Sequence, residues 1–133
     1  REYCEEHPGY KGILRKVNPQ EITAGDVFEA YRAGDAAGMT VIRKCIIYWG
    51  MAVANIVSLF NPQKIILGGG VFGPAAELIP SITEEASRWA QPVSMKLVTV
   101  EQSALGPDAA LYGAAYMALN RTAEQTAGNN RDV

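Results

Sequence analysis

Three consecutive glycines, Gly68, Gly69 and Gly70, follow directly on the apolar run 64–67 and lead into a helical pattern. A β-branched strand that ends in glycines before a helix lets a bound nucleotide approach the backbone. No Cβ blocks that approach, and the helix dipole attracts anions. The alternative is a plain strand-to-helix turn, in which glycine is only permissive. We therefore treat these glycines as a candidate nucleotide-binding loop.

The glycines also match the dinucleotide-binding spacing G-x-G-x-x-G through Gly68, Gly70 and Gly73, with Glu101 beyond the next strand. Pro74 marks the predicted start of the helix, so Gly73 lies outside it, and Glu101 lies beyond the usual spacing of about 20 residues. An NAD-binding oxidoreductase is therefore a remote alternative. A phosphate-binding P-loop is excluded because no Gly-Lys-Ser/Thr follows the glycines.

Other residues with chemical potential have simpler interpretations. Cys4 and His7 have a ligand-like spacing, but a zinc site needs about four ligands and no other Cys or His lies nearby, so we favour a solvated segment. Glu84 and Glu85 are adjacent and point to different parts of a helix surface, which argues against an acid–base pair. Asp108 is better explained as a helix N-cap than as a metal ligand. We predict no catalytic residue and no metal ligand in this chain.

Apolar spacing and capping residues predict the elements that position the glycines. Thr23 and Asp26 form a variant capping box that opens a short helix ending near Gly34, and Asp35 caps the longest helix. The last predicted helix is rich in Ala with Gly113 in its middle, and such small residues let a helix lie close to another backbone. We predict helices at 24–34, 36–60, 74–89 and 109–119 and strands at 64–67 and 96–100.

The resulting order, α-α-β-α-β-α with a parallel strand pair, indicates an α/β fold. Two parallel strands are too few for an independent sheet, and the chain starts at Arg1 without an initiator Met, so we expect a segment of a longer protein. We divide it into an irregular lead-in at 1–22, the α/β segment at 23–120 and a flexible tail at 121–133.

Composition narrows the class of protein and its partners. The 133 residues are 48% apolar, enough for one domain with a core, and the net charge of −2 argues against nucleic acid or an anionic membrane as partner of this segment. Cys4 and Cys45 are far apart, which fits a reducing cytoplasm. The uncharged stretch 45–60 would be about 24 Å long, short of a ~30 Å bilayer core, so we predict a core helix.

Four segments, taken together in their order and spacing, resemble the ROK family of bacterial repressors, open reading frames and sugar kinases. They are 26–35 (DVFEAYRAGD), 55–62 (NIVSLFNP), 65–71 (IILGGGV) and 103–115 (SALGPDAALYGAA). The resemblance covers about residues 20–120 and implies the actin-like, ribonuclease-H-like ATPase fold, with this chain as the second half of the C-terminal lobe. It implies that Gly68, Gly69, Gly70 and Val71 lie against ATP, which binds with Mg²⁺ in the intact protein.

The resemblance leaves two functions open. The first is an ATP-dependent kinase of a glucose-like hexose, in which this chain contributes the adenosine-side glycine loop and is not catalytic alone. The second is a sugar-responsive transcriptional repressor, which binds DNA through a helix-turn-helix. The family's Asp-x-Gly-x-Thr phosphate loop, Asn-Asp catalytic pair, sugar-binding Glu and His and zinc-binding cysteines are absent from this sequence. The resemblance also implies a homodimer, and we predict association through the long helix around 42–53 or by strand addition.

Overall fold

The computed structural model describes residues 2–129 as an α/β arrangement with one small sheet. The helices and strands, in chain order, are α1 (Glu2–Glu6), α2 (Ala24–Arg32), α3 (Ala36–Phe60), β1 (Lys64–Leu67), α4 (Ile79–Ser87), α5 (Pro92–Leu97), β2 (Thr99–Gln102) and α6 (Ala109–Asn129). Short 3-10 helices lie at Ile13–Lys16, Gly70–Phe72, Pro74–Leu78 and Gly106–Asp108.

The caps predicted for α2 and α3 are both formed. The Thr23 hydroxyl accepts a hydrogen bond from the Asp26 N–H at 3.3 Å, and the Asp26 carboxylate accepts one from the Thr23 N–H at 2.7 Å. Asp35 accepts from the N–H groups of Ala37 and Gly38 at 2.9 and 3.3 Å. These bonds satisfy N–H groups that have no partner inside the helix, which fixes where each helix begins.

The main core lies where α3 packs against α2 on one side and α4 on the other. One face of α3 contributes Ile42, Val53 and Val57, which are buried together with Ile82 of α4. By length and composition α3 is also the single helix among residues 2–129 that could span a bilayer. One face of α3 is buried in the core, as predicted, but 28% of its 18-residue apolar window is buried within the chain, so the described residues leave most of that window uncovered.

Two glycines of α3 permit unusually close helix crossings. A Cβ added at Gly38 would lie 2.5 Å from the Tyr31 backbone nitrogen, and one at Gly50 would lie 2.8 Å from Glu85 Cβ. A Cβ at Gly113 would have nothing within 4 Å among the described residues. The prediction that Gly113 lies against another backbone is therefore wrong for the part of the chain that the structure describes, and the close contacts occur in α3 instead.

The sheet consists of β1 and β2 in parallel, with Lys64 opposite Thr99 and Leu67 opposite Gln102. β1 has the predicted bounds, whereas β2 lies at 99–102 instead of 96–100. Between α4 and β2, Pro92 opens the short helix α5, whose cap is a hydrogen bond from the Ser94 N–H to the Gln91 side chain. The order predicted from the sequence, α-α-β-α-β-α, therefore lacks the short helix α5 between α4 and β2. The helix predicted at 74–89 is a 3-10 turn followed by α4.

The lead-in at 1–22 is more ordered than the sequence predicts. It contains α1 and a 3-10 helix, and it buries the Cys4 and Leu14 side chains. The Arg15 guanidinium donates to the Cys4 carbonyl at 3.1 Å, which joins the two parts. At the other end, α6 continues past the predicted boundary to Asn129, and residues 130–133 lie outside the described residues. The flexible tail stays a prediction.

The surface of α3 also corrects the predicted site of association. Ile42 and Val53 are buried within the chain, so they are not available to a second copy. Tyr48 and Met51, on the opposite face, are exposed, as is Ile66 on β1. Any association through α3 must therefore use the face that carries Tyr48.

Asp35 joins the lead-in to α3 and gives a first test of the fold. Besides capping α3, its carboxylate accepts hydrogen bonds from the Tyr10 hydroxyl at 2.6 Å and from the Ile13 N–H at 2.8 Å. We expect Asp35→Ala to lower the free energy of unfolding by about 1–2 kcal/mol, because a lost N-cap alone costs about 1 kcal/mol. Urea unfolding at pH 7 measures this. Asp26→Ala, which removes the carboxylate partner of Thr23 in the capping box of α2 and has no hydrogen bond to the lead-in, is the control and should have a smaller effect.

The same carboxylate predicts a pH dependence. Burial raises the pKa of Asp35, but the hydrogen bonds from Tyr10, Ile13, Gly38 and Ala37 together outweigh it and hold the pKa below its usual range. Because the folded pKa is the lower one, ionised Asp35 stabilises the fold above the unfolded pKa of about 3.9, and this contribution is lost as the pH falls through the folded pKa. Stability should therefore fall less between pH 5 and pH 2 in Asp35→Asn than in the wild type. Parallel profiles would contradict this role.

Candidate functional site

The candidate site lies at the carboxyl ends of the two parallel strands. β1 ends at Leu67 and β2 ends beside it, and the Ser103 N–H donates to the Leu67 carbonyl at 2.8 Å just past the ladder. This pairing places residues 68–71, hereafter the glycine loop, next to the segment that leads into α6. In α/β sheets, ligands bind outside the carboxyl ends of the strands. The topology therefore puts the sequence-predicted residues at a position suited to binding.

The three glycines have different effects on the loop. Gly69 has φ +87° and ψ 175°, a conformation that residues with a side chain rarely adopt. A Cβ at Gly68 would lie 3.1 Å from the Ser103 Cβ, tighter than an ordinary contact, whereas one at Gly70 would meet nothing within 4 Å. Gly68 thus allows close packing, Gly69 allows the turn, and Gly70 leaves the surface open.

The glycine loop presents backbone groups to solvent. Gly68, Gly70 and Val71 are exposed. Val71 is the middle residue of the short 3-10 helix Gly70–Phe72. Among residues 2–129, no hydrogen bond from the Gly69 N–H to another residue is formed. The glycine backbone at 68–70, with a Gly69 N–H that has no partner among residues 2–129, can donate to an anionic or hydroxyl oxygen.

Phe72 anchors the far end of the loop. Its ring contacts Trp49 of α3, with ring centroids 5.3 Å apart and planes inclined at 50°. Its N–H donates to the Gly69 carbonyl at 3.1 Å, and its carbonyl accepts from the Gln102 side-chain amide at 2.9 Å. Trp49 is thus a partly buried residue that packs against the core. Sequence reasoning missed Phe72 and Gln102, because the predicted strand 96–100 ends before Gln102.

The residues of the dinucleotide-binding interpretation are not arranged for it. Gly73 has φ −69° and precedes the 3-10 helix that starts at Pro74, so it lies outside the helix, as predicted. The Glu101 carboxylate is 2.8 Å from the Lys64 ammonium across the two strands. An acidic residue that is already paired with a lysine gives little support to ribose binding.

The remaining candidates have structural partners. His7 Nδ1 is 2.9 Å from the Tyr3 carbonyl and its ring stacks on Tyr3, whereas the Cys4 side chain is buried. Glu84 and Glu85 both pair with Arg88, at 3.4 and 2.8 Å. Within the described range 2–129, no group of three or more His, Cys, Asp or Glu residues could hold a metal ion. Asp108 belongs to the 3-10 turn that leads into α6.

A second concave region lies away from the glycine loop. It is a groove of about 550 Å³ between α1 and the first half of α3, lined by both aromatic and charged side chains. Its wall includes Tyr3, Lys44, Cys45 and Tyr48. Burial raises the pKa of the Cys45 thiol, which disfavours its thiolate form.

Comparison with known proteins identifies the family. The model of the ROK family matches residues 7–121, which is most of the chain. The chain belongs to the ROK family. The match includes the whole glycine loop and both strands, so the loop described above is part of the region that this ROK chain shares with its relatives.

Related proteins of two kinds match this ROK chain. It is 31% identical over 111 residues to the glucokinase of Halalkalibacterium halodurans, a match that covers 84% of the chain and 34% of the glucokinase. It is 29% identical over 99 residues to the DNA-binding transcriptional repressor Mlc of Escherichia coli, covering 74% of the chain and 24% of Mlc. The chain therefore spans about a third or less of the length of these relatives.

A solved structure supports the fold. The crystal structure of a candidate sugar kinase from Cytophaga hutchinsonii superposes with a TM-score of 0.74 at 22% identity, over 89% of this chain and 38% of that protein. At this identity the likeness shows the fold alone. The parallel strand pair and its helices are therefore part of the α/β fold found in a larger protein of known structure.

Proposed function

We propose that this chain is the nucleotide-side segment of a ROK-type, ATP-dependent kinase of a glucose-like hexose, lying in the second half of its C-terminal lobe. The observation that carries the proposal is the glycine loop at the carboxyl ends of two parallel strands, with Gly69 at φ +87° and open space beside it. The 31% identity to a glucokinase supports the choice of a kinase and of its substrate class.

In this proposal the chain binds and does not catalyse. Gly68, Gly69, Gly70 and Val71 would contact the adenosine and phosphate part of ATP, and the open backbone there fits a flat or anionic group. Mg²⁺ bound with ATP would neutralise part of the phosphate charge, and no residue of this chain is assigned to hold it. Transfer also needs a base and a phosphate clamp held in line with the sugar hydroxyl. Those groups would come from other parts of the protein.

A ROK-type repressor is the second candidate, and the 29% identity to Mlc supports it. In that case the same lobe would respond to a sugar, and a helix-turn-helix elsewhere in the protein would bind DNA. The glycine loop serves both proposals equally, because fold does not fix function and the groups that separate the two lie outside this sequence.

A coupled assay with ATP, Mg²⁺ and a panel of hexoses tests the kinase proposal. We expect turnover from the full-length protein and none above background from the 133-residue chain, because the chain has no phosphate clamp and no catalytic base. Absence of turnover by the full-length protein, together with sugar-dependent release from DNA, would favour the repressor. Turnover by the chain alone that survives repurification would contradict the proposed division of roles.

We also propose a cytoplasmic homodimer. The exposed Tyr48, Met51 and Leu59 on one side of α3, and the uncovered edges of the two-stranded sheet, leave apolar surface for a second copy. Sedimentation velocity over a concentration series should show association that Tyr48→Glu weakens. A compact monomer at every concentration would contradict this proposal.

A further inference from the structure

Gln102 is placed to act on the glycine loop from outside it. The parallel register sets Gln102 opposite Leu67, the residue that directly precedes the glycines. From there its side-chain amide donates to the Phe72 carbonyl at 2.9 Å, on the far side of the loop. One side chain from β2 therefore spans the loop from its beginning to its end.

The loop needs such a constraint because its own glycines make few contacts that would restrict the backbone. Cβ atoms at Gly69 and Gly70 would contact nothing within 4 Å, and glycine has more backbone freedom than any other residue. What holds the loop acts at its ends, where the Ser103 N–H donates to Leu67 and the Phe72 N–H donates to Gly69. Among residues 2–129, the Gln102 bond is the contact that fixes the Phe72 carbonyl from the neighbouring strand.

Phe72 and Gln102 differ in whether their side chains also contribute to the hydrophobic core. The Phe72 ring packs against Trp49 and the core, so changing it would disturb the fold as well as the loop. Gln102 is exposed, and its hydrogen bond is formed at the surface. A change at Gln102 can therefore alter the loop and leave the core intact.

We propose that Gln102 is a positioning residue for nucleotide binding, which holds the glycine loop in its binding conformation through the Phe72 carbonyl. This inference rests on the proposed function. Without the bond, residues 69–72 sample more conformations, and binding must then order them at a cost in affinity. A residue with only a structural role would lower stability and affect both ligands alike.

Gln102→Met and Gln102→Glu in the full-length protein test the inference. The first removes the hydrogen bond at nearly constant size, and the second also sets a carboxylate against the Phe72 carbonyl. We expect the Kd for Mg-ATP, measured by calorimetry, to rise about 3- to 10-fold in Gln102→Met and further in Gln102→Glu. The Kd for glucose and the melting temperature should stay unchanged. Glu101→Gln, a change on the same strand that breaks only the Lys64 pair, is the control.

Amide hydrogen exchange provides a readout independent of nucleotide. In the ligand-free protein, exchange at residues 70–72 should be faster in Gln102→Met than in the wild type or Glu101→Gln. Unchanged exchange together with unchanged nucleotide affinity would overturn the inference, and so would equal losses for nucleotide and sugar. If the wild type binds no adenine nucleotide, the proposed function itself fails, and the exchange experiment still reports whether Gln102 orders the loop.

Discussion

Replacing Gly69 by Val is expected to weaken nucleotide binding by the full-length protein at least about tenfold. Gly69 has φ +87° and ψ 175°, a region occupied almost exclusively by glycine, and a β-branched side chain held there costs roughly 1–3 kcal/mol, where 1.4 kcal/mol corresponds to a factor of ten. The added isopropyl group would also enter the open space that the nucleotide is proposed to occupy. The affinity for sugar should change less than about twofold, since the proposed sugar site lies elsewhere.

Calorimetric titration of each ligand separates this effect from misfolding. Gly73→Ala is the matched control, because Gly73 has φ −69° and its added Cβ would lie 3.6 Å from the nearest atom, the Gly70 carbonyl oxygen. That change should be tolerated with little loss of either affinity. Equal losses for nucleotide and sugar in Gly69→Val would show that the variant is generally misfolded and would remove the support for a nucleotide loop.

The second large effect is expected on stability, from Gly38→Ala. An added Cβ would lie 2.5 Å from the Tyr31 nitrogen and 2.7 Å from the Ala30 carbonyl carbon. Both are backbone atoms of α2, so relief requires the two helices to move apart. Overpacking of this kind costs about 1–3 kcal/mol, and we expect a loss near the upper end, about 2–3 kcal/mol, because backbone cannot turn aside as a side chain can.

Gly113→Ala makes the same change in α6, where an added Cβ would have nothing within 4 Å. Its free energy of unfolding should rise by up to about 1 kcal/mol, because Ala favours a helix interior over Gly. If α2 and α3 cross as closely as described, urea unfolding should give a lower free energy of unfolding for Gly38→Ala and a higher one for Gly113→Ala than for the wild type. A neutral or stabilising Gly38→Ala would mean that the helices are further apart.

The sequence by itself determined the parts of this protein that depend on neighbouring residues. The capping box of Thr23 and Asp26, the Asp35 cap, the bounds of α3 and the strand β1 were all predicted, because each rests on contacts or periodicity within a few residues. The resemblance to the ROK family also came from the sequence, because the order and spacing of its four segments can be read along the chain. The place of the glycine loop after a strand was visible too.

The tertiary structure decided what depends on residues far apart in the chain. Gln102 and Phe72 are 30 positions apart, and only the parallel register brings the amide to the carbonyl. The close crossing at Gly38 could not be separated from the open position of Gly113, because both are glycines within helical patterns. Whether a glycine marks a contact depends on which helix lies opposite, and spacing along one helix carries no information about its partner.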